Sequence, residues 1–309
     1  MTAAAQDPAL SARLMRRATR ASVAVALVLI AAKTAAWLAT GSVAMLASLA
    51  DSLLDGLASV VTLLAVRHAL TPADAEHRFG HGKAEALAGL GQAVLVTGSA
   101  LFLAIEAVQR LLDPQPVRES AAGIAVMLLS IVLTFALVLY QRRVVRQTGS
   151  LAVSADRLHY VGDLLANMAV IAALVVGSQG GWAWFDPVCA LAIAAVILKS
   201  AIDIVRGALN HLMDRELGDD ARWRIRQAVL AHRDVRAMHD LRTRQSGMQT
   251  FIQLHVELDP DITLREAHRI SDAIEMDLLK LFPDAEVIIH QDPAGVAESQ
   301  PPFDTRGSH

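Results

Sequence analysis

As a helix, about twenty apolar residues are long enough to cross the hydrocarbon core of a bilayer. This chain contains six such stretches: residues 21–40, 42–66, 84–112, 121–140, 151–177 and 185–208. In a chain of 309 residues, 54% hydrophobic and with a mean hydropathy of +0.40, that pattern excludes an ordinary soluble domain. The apolar mass is Ala, Leu and Val, with only 4% aromatic residues, which suits packed helices better than sheet. The expected core of the fold is therefore a membrane α-helical bundle of six transmembrane helices.

Residues 1–20 are polar and basic and hold no cleavable apolar segment, so the first apolar run reads as a span and not as a signal peptide. The Lys/Arg bias sets its direction. Arg13, Arg16, Arg17 and Arg20 precede the first span; Arg67, Arg78 and Lys83 lie between the second and third; Arg142, Arg143 and Arg146 lie between the fourth and fifth. The alternate connections are poor in cations: a bare Thr40-Gly41 turn, a stretch with Arg110 and Arg118, and GSQGGWAW. Both termini are expected in the cytoplasm. One cysteine, Cys189, excludes a disulfide framework and a Cys-rich zinc site. The arginines are dispersed and form no basic stripe, so no nucleic acid partner is expected.

From about residue 210 the chain becomes charged and mixed in pattern, and residues 210–293 read as a separate domain. The order is α-β-β-α-β: a helix over 219–231, strands over 241–245 and 250–258 joined at Ser246-Gly247, a helix over 263–281 and a strand over 287–290. In the second strand Ile252, Leu254, Val256 and Leu258 take one face, while Gln253, His255 and Glu257 take the other. Thr263 and Glu266 form a capping-box signature at the second helix. The expected architecture is a C-terminal α+β open-faced sandwich, followed by a disordered tail over 294–309.

Ionisable groups at bilayer depth are costly and mark ion or proton pathways. Asp51 and Asp55 are four apart in the second stretch and share a helix face; His159 and Asp163 do the same in the fifth. At 1.5 Å per residue, Asp51 lies about 14 Å from the outer end of its span. On the same scale His159 lies about 12 Å and Asp163 about 18 Å from the inner end of theirs. Both pairs thus reach the middle of the bilayer. Three carboxylates and one imidazole make a four-coordinate shell that suits Zn²⁺, with Cd²⁺ and Fe²⁺ close behind. Interhelical polar pairing is the bland alternative, but two such pairs at one depth argue for an ion site.

Lys33 and the Lys199/Asp203 pair read as snorkelling or locally paired, Glu106 as solvated, and Asn167 as either a partner of Asp163 or a helix–helix contact. The cytoplasmic loop holds Asp74, His77 and His81 at chelating spacing, although short loops often carry histidines without a ligand. The tail holds His239, His255, His268, His290 and Asp292 on or beside strands, a pattern equally open to a metal site or to surface residues. His68, His211, His232 and His309 read as ordinary surface residues.

Taken together, GSVAMLASLADSLLDGLAS, HRFGHGKAEALAGL, ADRLHYVGDLLAN, DLRTRQSG, FIQLHVELD and VIIHQDP resemble the cation diffusion facilitator family, in its bacterial zinc/ferrous-iron efflux branch. The resemblance spans nearly the whole chain in order. It implies a homodimeric, proton-coupled antiporter of the bacterial inner membrane with a metallochaperone-like cytoplasmic domain. It further implies an intramembrane transport site on Asp51, Asp55, His159 and Asp163, and a loop site on Asp74, His77 and His81. A binuclear zinc site would fall on His239, His255, His268, His290 and Asp292, with Gln291 as an additional ligand. A charge contact between domains would join Lys83 and Asp214. An intramembrane metallohydrolase would be expected to carry HExxH or a similar base, and the chain has none, so no enzyme is expected. A membrane metal sensor or receptor gated through the tail is the alternative function.

Overall fold

The structure, a computed structural model, describes residues 8–113, 121–177 and 184–296. They fall into two compact units, Ala9–Leu209 and the chain from Asn210 onward. Six long helices dominate the first: α1 (Pro8–Thr40), α2 (Val43–Ala69), α3 (Lys83–Leu112), α4 (Ala121–Thr148), α5 (Leu151–Gly177) and α6 (Phe185–Leu212). Helix α1 opens at Pro8, whose fixed φ suits a first turn, so Arg13 to Arg20 ride on a helix that precedes the apolar run. Met15, Ala18 and Ser22 recur on one face of that extension and are buried. Ala18 packs there against Val144 of α4 and Val153 of α5.

Helices α1, α2, α3, α4 and α6 are long and apolar enough to cross a membrane. Helix α5 has the same length but carries Asp156, Arg157 and Asp163. It packs against α2, α3 and α4, which screen its polar residues. The bundle is polar within and apolar without: Leu54, Leu57 and Phe102 are 66%, 62% and 71% exposed, whereas Gln141 and Asp156 are 0% exposed. That inversion is what a hydrocarbon solvent demands. Small side chains let the helices approach, as where Ala93 and Ala100 of α3 meet Ala155 of α5 and Ala201 of α6.

The second unit contains α7 (Asp219–Leu230), β1 (Ala237–Ser246), β2 (Gln249–Leu258), α8 (Leu264–Leu281) and β3 (Ala285–Pro293). The sheet order is β1-β2-β3, with β1 antiparallel and β3 parallel to β2. Parallel pairing needs a crossover, and α8 provides it. Ile252, Leu254, Val256 and Leu258 pack against Ile225 and Val229 of α7 and Ile270, Ile274 and Leu278 of α8. One helix layer on one face of the sheet is the open-faced sandwich expected from the sequence. Thr263 caps α8 by accepting from the Glu266 amide at 3.2 Å, but the Glu266 carboxylate turns to Arg269, so only half of the capping box forms.

Strand β1 begins at Ala237, earlier than its alternation suggests. A bulge between His239 and Arg242, with Asp240 at φ 48°, inserts an extra residue and breaks the period-two pattern. His239 therefore lies within the strand and not before it. Strand β3 likewise runs on to Pro293 and includes Asp292. Of the expected disordered tail over 294–309, residues 297–309 lie outside the described residues.

Candidate metal centre

The four-residue spacing on α5 stacks His159 and Asp163 on one face, and that face meets α2. His159 Nε2 lies 2.8 Å from Asp55 Oδ1 and 3.6 Å from Asp163 Oδ2. One donor atom from each of the three lies within 4.8 Å of the others, and His159 is 9% exposed. Asp51 is one turn away on α2 and is not part of this close group. It lines, with Asp55 and Asp163, a cavity of about 120 Å³ whose other polar walls include Lys33, Ser130, Thr134, Tyr160 and Asn167. Such a volume takes an ion with part of its water shell. Asn167 thus faces the cavity. So does Lys33, which does not snorkel: its Nζ donates to Ser52 Oγ at 2.6 Å and to the Ser48 carbonyl at 3.1 Å, joining α1 to α2. Glu106 pairs with Arg110 at 3.0 Å.

One turn before His159 lies a carboxylate that the sequence reading passed over. Asp156 accepts from Ser22 Oγ of α1 at 2.5 Å, Gln141 Nε2 of α4 at 2.7 Å and Ser59 Oγ of α2 at 3.3 Å. The Tyr160 hydroxyl is 2.9 Å from Ser59 Oγ and donates to the Ser22 carbonyl at 3.2 Å. Four helices are knotted at the level of the candidate site. The signal was available: Ser22, Ser59 and Gln141 are polar residues in or at the edge of apolar stretches, and each needs a partner in the interior. Asp156→Ala removes the acceptor shared by Ser22, Ser59 and Gln141, leaving Ser22 the Ala18 carbonyl at 3.1 Å and Gln141 the Ser22 hydroxyl at 3.0 Å, a loss of about 1–3 kcal/mol in all. A clear loss of Tm in detergent is expected, with less than half that loss for Asp156→Asn, which keeps an acceptor. A Tm equal to wild type for Asp156→Ala would show that the network does not hold the bundle together.

In the loop between α2 and α3, Asp74 Oδ1 accepts from the amides of Glu76 and His77 at 2.9 and 2.6 Å. The His77 amide is the main cause, and the Glu76 amide a smaller one, of an Asp74 carboxyl held below the usual carboxylate range. Asp74 thus stays ionised at any physiological pH. Its Oδ1 is 3.4 Å from His77 Nδ1 and its Oδ2 3.3 Å from His81 Nε2. The three residues form a second group with donor atoms within 4.8 Å.

In the tail, register does the gathering. His239 of β1 pairs with His255 of β2, which pairs with His290 of β3, so three imidazoles stand in one row across the sheet. Their rings are 5.1 Å apart for His239 and His255 and 4.5 Å apart for His255 and His290. Asp292 is two residues along β3 on the same face. Its carboxylate lies 2.9 Å from His255 Nδ1, 3.5 Å from His239 Nε2 and 3.2 Å from His290 Nε2. His239, His255 and Asp292 make the third group with donors within 4.8 Å. His268 is not brought to it. It lies on α8, in the layer that covers the opposite, apolar face of the sheet, and its Nδ1 is 3.5 Å from Asp272. Gln291 donates to Ser271 Oγ at 2.8 Å and so turns toward the helix layer as well.

Comparison with known proteins agrees with this division. The family description "Cation efflux transmembrane domain" matches residues 19–213, and "Cation efflux protein, cytoplasmic domain" matches residues 217–294. The chain is 49% identical over 282 residues to the cation-efflux pump FieF of Shewanella oneidensis, covering 91% of this chain and 95% of that one. It is 48% identical over 284 residues to FieF of Klebsiella pneumoniae, covering 92% and 94%. Among solved structures it is similar to the metal-bound C-terminal domain of the CzcD transporter from Thermotoga maritima, at 30% identity, 26% of this chain, 93% of that one and a TM-score of 0.25. With two family domains in sequence and whole-length relatives, this chain belongs to the cation diffusion facilitator family and is a multi-pass cation efflux protein of the bacterial inner membrane.

Proposed function

We propose that this protein is a proton-coupled antiporter that exports divalent metal ions, Zn²⁺ foremost, by alternating access across six spans with α5 at their centre. The observation that carries this reading is the meeting of Asp55, His159 and Asp163 beside a polar cavity that Asp51 completes. One nitrogen and three carboxylates, without a thiolate, suit a borderline ion that must be bound and then released. Metal ligands must be deprotonated to bind, so protons and metal compete for the same atoms. The geometry supports that exchange: His159 stands between two carboxylates, where either a proton on the imidazole or a divalent ion balances their charge. Alternating exposure of a midmembrane site to the two sides then couples inward proton flow to outward metal flow.

The tail reads as a regulatory zinc centre and the loop group of Asp74, His77 and His81 as a further cytoplasmic binding site. His239, His255, His290 and Asp292 are gathered within one chain. His268 lies behind the sheet, so in a homodimer it would reach such a centre only from the second copy. These groups are outside the long apolar helices and do not carry the ion across the membrane. Zinc at a hundred times its Kd stabilises whatever it binds by about 2.7 kcal/mol. A full-length His255→Ala, His290→Ala variant is therefore expected to bind fewer zinc equivalents and to lose zinc-dependent thermal stabilisation, while transport falls only in part. Unchanged zinc stoichiometry and Tm would remove the tail centre from the account. For the transport site itself, zinc uptake by proteoliposomes is the test, and the two largest effects are argued in the Discussion.

A further inference from the structure

We propose that the cytoplasmic end of the α4–α5 hairpin binds the phosphate headgroup of an anionic phospholipid, held by Arg142, Arg146 and Arg157. The hairpin reverses between Thr148, the last residue of α4, and Leu151, the first of α5, with Gly149 at φ 67°. Arg142 and Arg157 lie equally far from that reversal, each about 9 Å along its own helix. A hydrogen bond of 2.7 Å from Gln141 to Asp156, the preceding residue on each helix, holds the two in that register. Arg146 lies one helical turn closer to the loop than Arg142. Arg142 follows shortly after the apolar run that ends at Tyr140, which sets the group at headgroup depth and not in the hydrocarbon. Arg142 and Arg146 are exposed, and Arg157 is half-buried.

Positive charge at the cytoplasmic face is general among membrane proteins, and exposed arginines alone call for no ligand. Here a guanidinium that water reaches only in part has no counter-charge. The charges that act on Arg157 are two further cations, Arg142 and Arg146, and its Nε is buried with no hydrogen-bond partner. Among the described residues no carboxylate pairs with any of the three. Helix α4 has no Asp or Glu. On α5, Asp156 is turned inward to Ser22, Ser59 and Gln141, and Asp163 lines the polar cavity. Like charges repel more strongly where water is scarce, so the cluster calls for an anion. A guanidinium matches the geometry of a phosphate, and at this depth the phosphate at hand belongs to a lipid of the cytoplasmic leaflet. A net anionic lipid is favoured, because a zwitterionic one brings its own cation to the cluster. The proposal stands apart from the transport reading, but it has a consequence there: a lipid held at Arg157 fixes the depth of α5 close to His159.

The experiment uses the full-length protein in an uncharged detergent, with phosphatidylglycerol, phosphatidylcholine or inorganic phosphate as the probe. Binding of the first lipid is measured by native mass spectrometry, and stability as Tm. The wild type should prefer phosphatidylglycerol and gain Tm from it, and inorganic phosphate should not reproduce that gain. Arg157→Gln should weaken binding of the first phosphatidylglycerol by about five-fold or more, the scale for one cation near an anionic headgroup. Without lipid its Tm should be no lower than wild type, because the substitution relieves a repulsion. The triple variant Arg142→Gln, Arg146→Gln, Arg157→Gln should lose the preference for phosphatidylglycerol altogether. Arg13→Gln, Arg17→Gln on the exposed face of α1 should leave first-lipid affinity unchanged. Should Arg157→Gln fail to fold, Arg142→Gln carries the same test, since its exposed side chain packs against nothing in the interior. Equal affinity for the two lipids, or an equal loss in the α1 variant, would reduce the cluster to the general positive charge of the cytoplasmic face and overturn the proposal. A lipid-free Tm well below wild type in Arg157→Gln would overturn its premise of an unpaired cation. An equal Tm gain from inorganic phosphate would make this a site for free anions and not for a lipid.

Discussion

Asp163→Ala is expected to reduce zinc flux in proteoliposomes at least a hundred-fold while the purified protein still elutes as wild type. Asp163 shares the polar cavity with Asp51 and Asp55 and places Oδ2 3.6 Å from His159 Nε2. Removing it deletes an anionic ligand, and even the outer partners of metal ligands are worth about 10- to 100-fold in metal affinity. A hundred-fold loss requires only about 2.7 kcal/mol of lost ion binding, so the expected effect exceeds that threshold. The fold should survive, because the knot around Asp156 and the Ala-lined seam of α3, α5 and α6 do not involve Asp163. Asp163→Asn separates charge from shape: it preserves volume and an acceptor but removes the negative charge, and it too should be inactive. Near-normal flux in the alanine variant would refute the transport site, whereas an active Asn variant would show that shape and not charge is required.

His159→Asp should keep a site but change what it selects. The only nitrogen donor is replaced by oxygen, so preference moves from Zn²⁺ toward harder ions such as Mn²⁺. The Mn²⁺ to Zn²⁺ flux ratio should rise about ten-fold or more, about 1.4 kcal/mol of relative binding. The pH profile should change with it. An imidazole is the side chain whose ordinary titration lies between about pH 5 and 8, where metal and proton then compete for one nitrogen. Without it the dependence of flux across about pH 6 to 8 should flatten. Parallel uptake of the two metals at several pH values reads both effects. If ratio and profile both match wild type, His159 neither binds the ion nor couples it to protons.

The residues that carry these effects were legible in the sequence because hydrocarbon makes charge conspicuous. Asp51, Asp55, His159 and Asp163 stand out against apolar runs, and four-residue spacing places each pair on one face without any knowledge of packing. The sandwich was legible for a related reason, since the strict alternation from Ile252 to Leu258 can only be a strand with one buried face. What escaped the reading has physical causes. Asp156 hid in the mixed stretch at the start of α5, and its importance comes from Ser22, Ser59 and Gln141 on three other helices. His239 fell outside its expected strand because a bulge breaks the alternation. His268 has the spacing and chemistry of a ligand, yet it sits on the helix layer behind the sheet, and sequence does not reveal which side of a layer a surface helix residue occupies.

The central claim, that protons and metal exchange through one site on α2 and α5, is tested most directly by recording zinc and proton fluxes together in the same proteoliposomes. An imposed proton gradient should drive zinc against its own gradient. Zinc movement should in turn produce an opposite proton flux in a fixed ratio, and both should vanish together in Asp55→Ala. Zinc crossing at the full rate without proton counterflow, or persisting in Asp55→Ala, would contradict it.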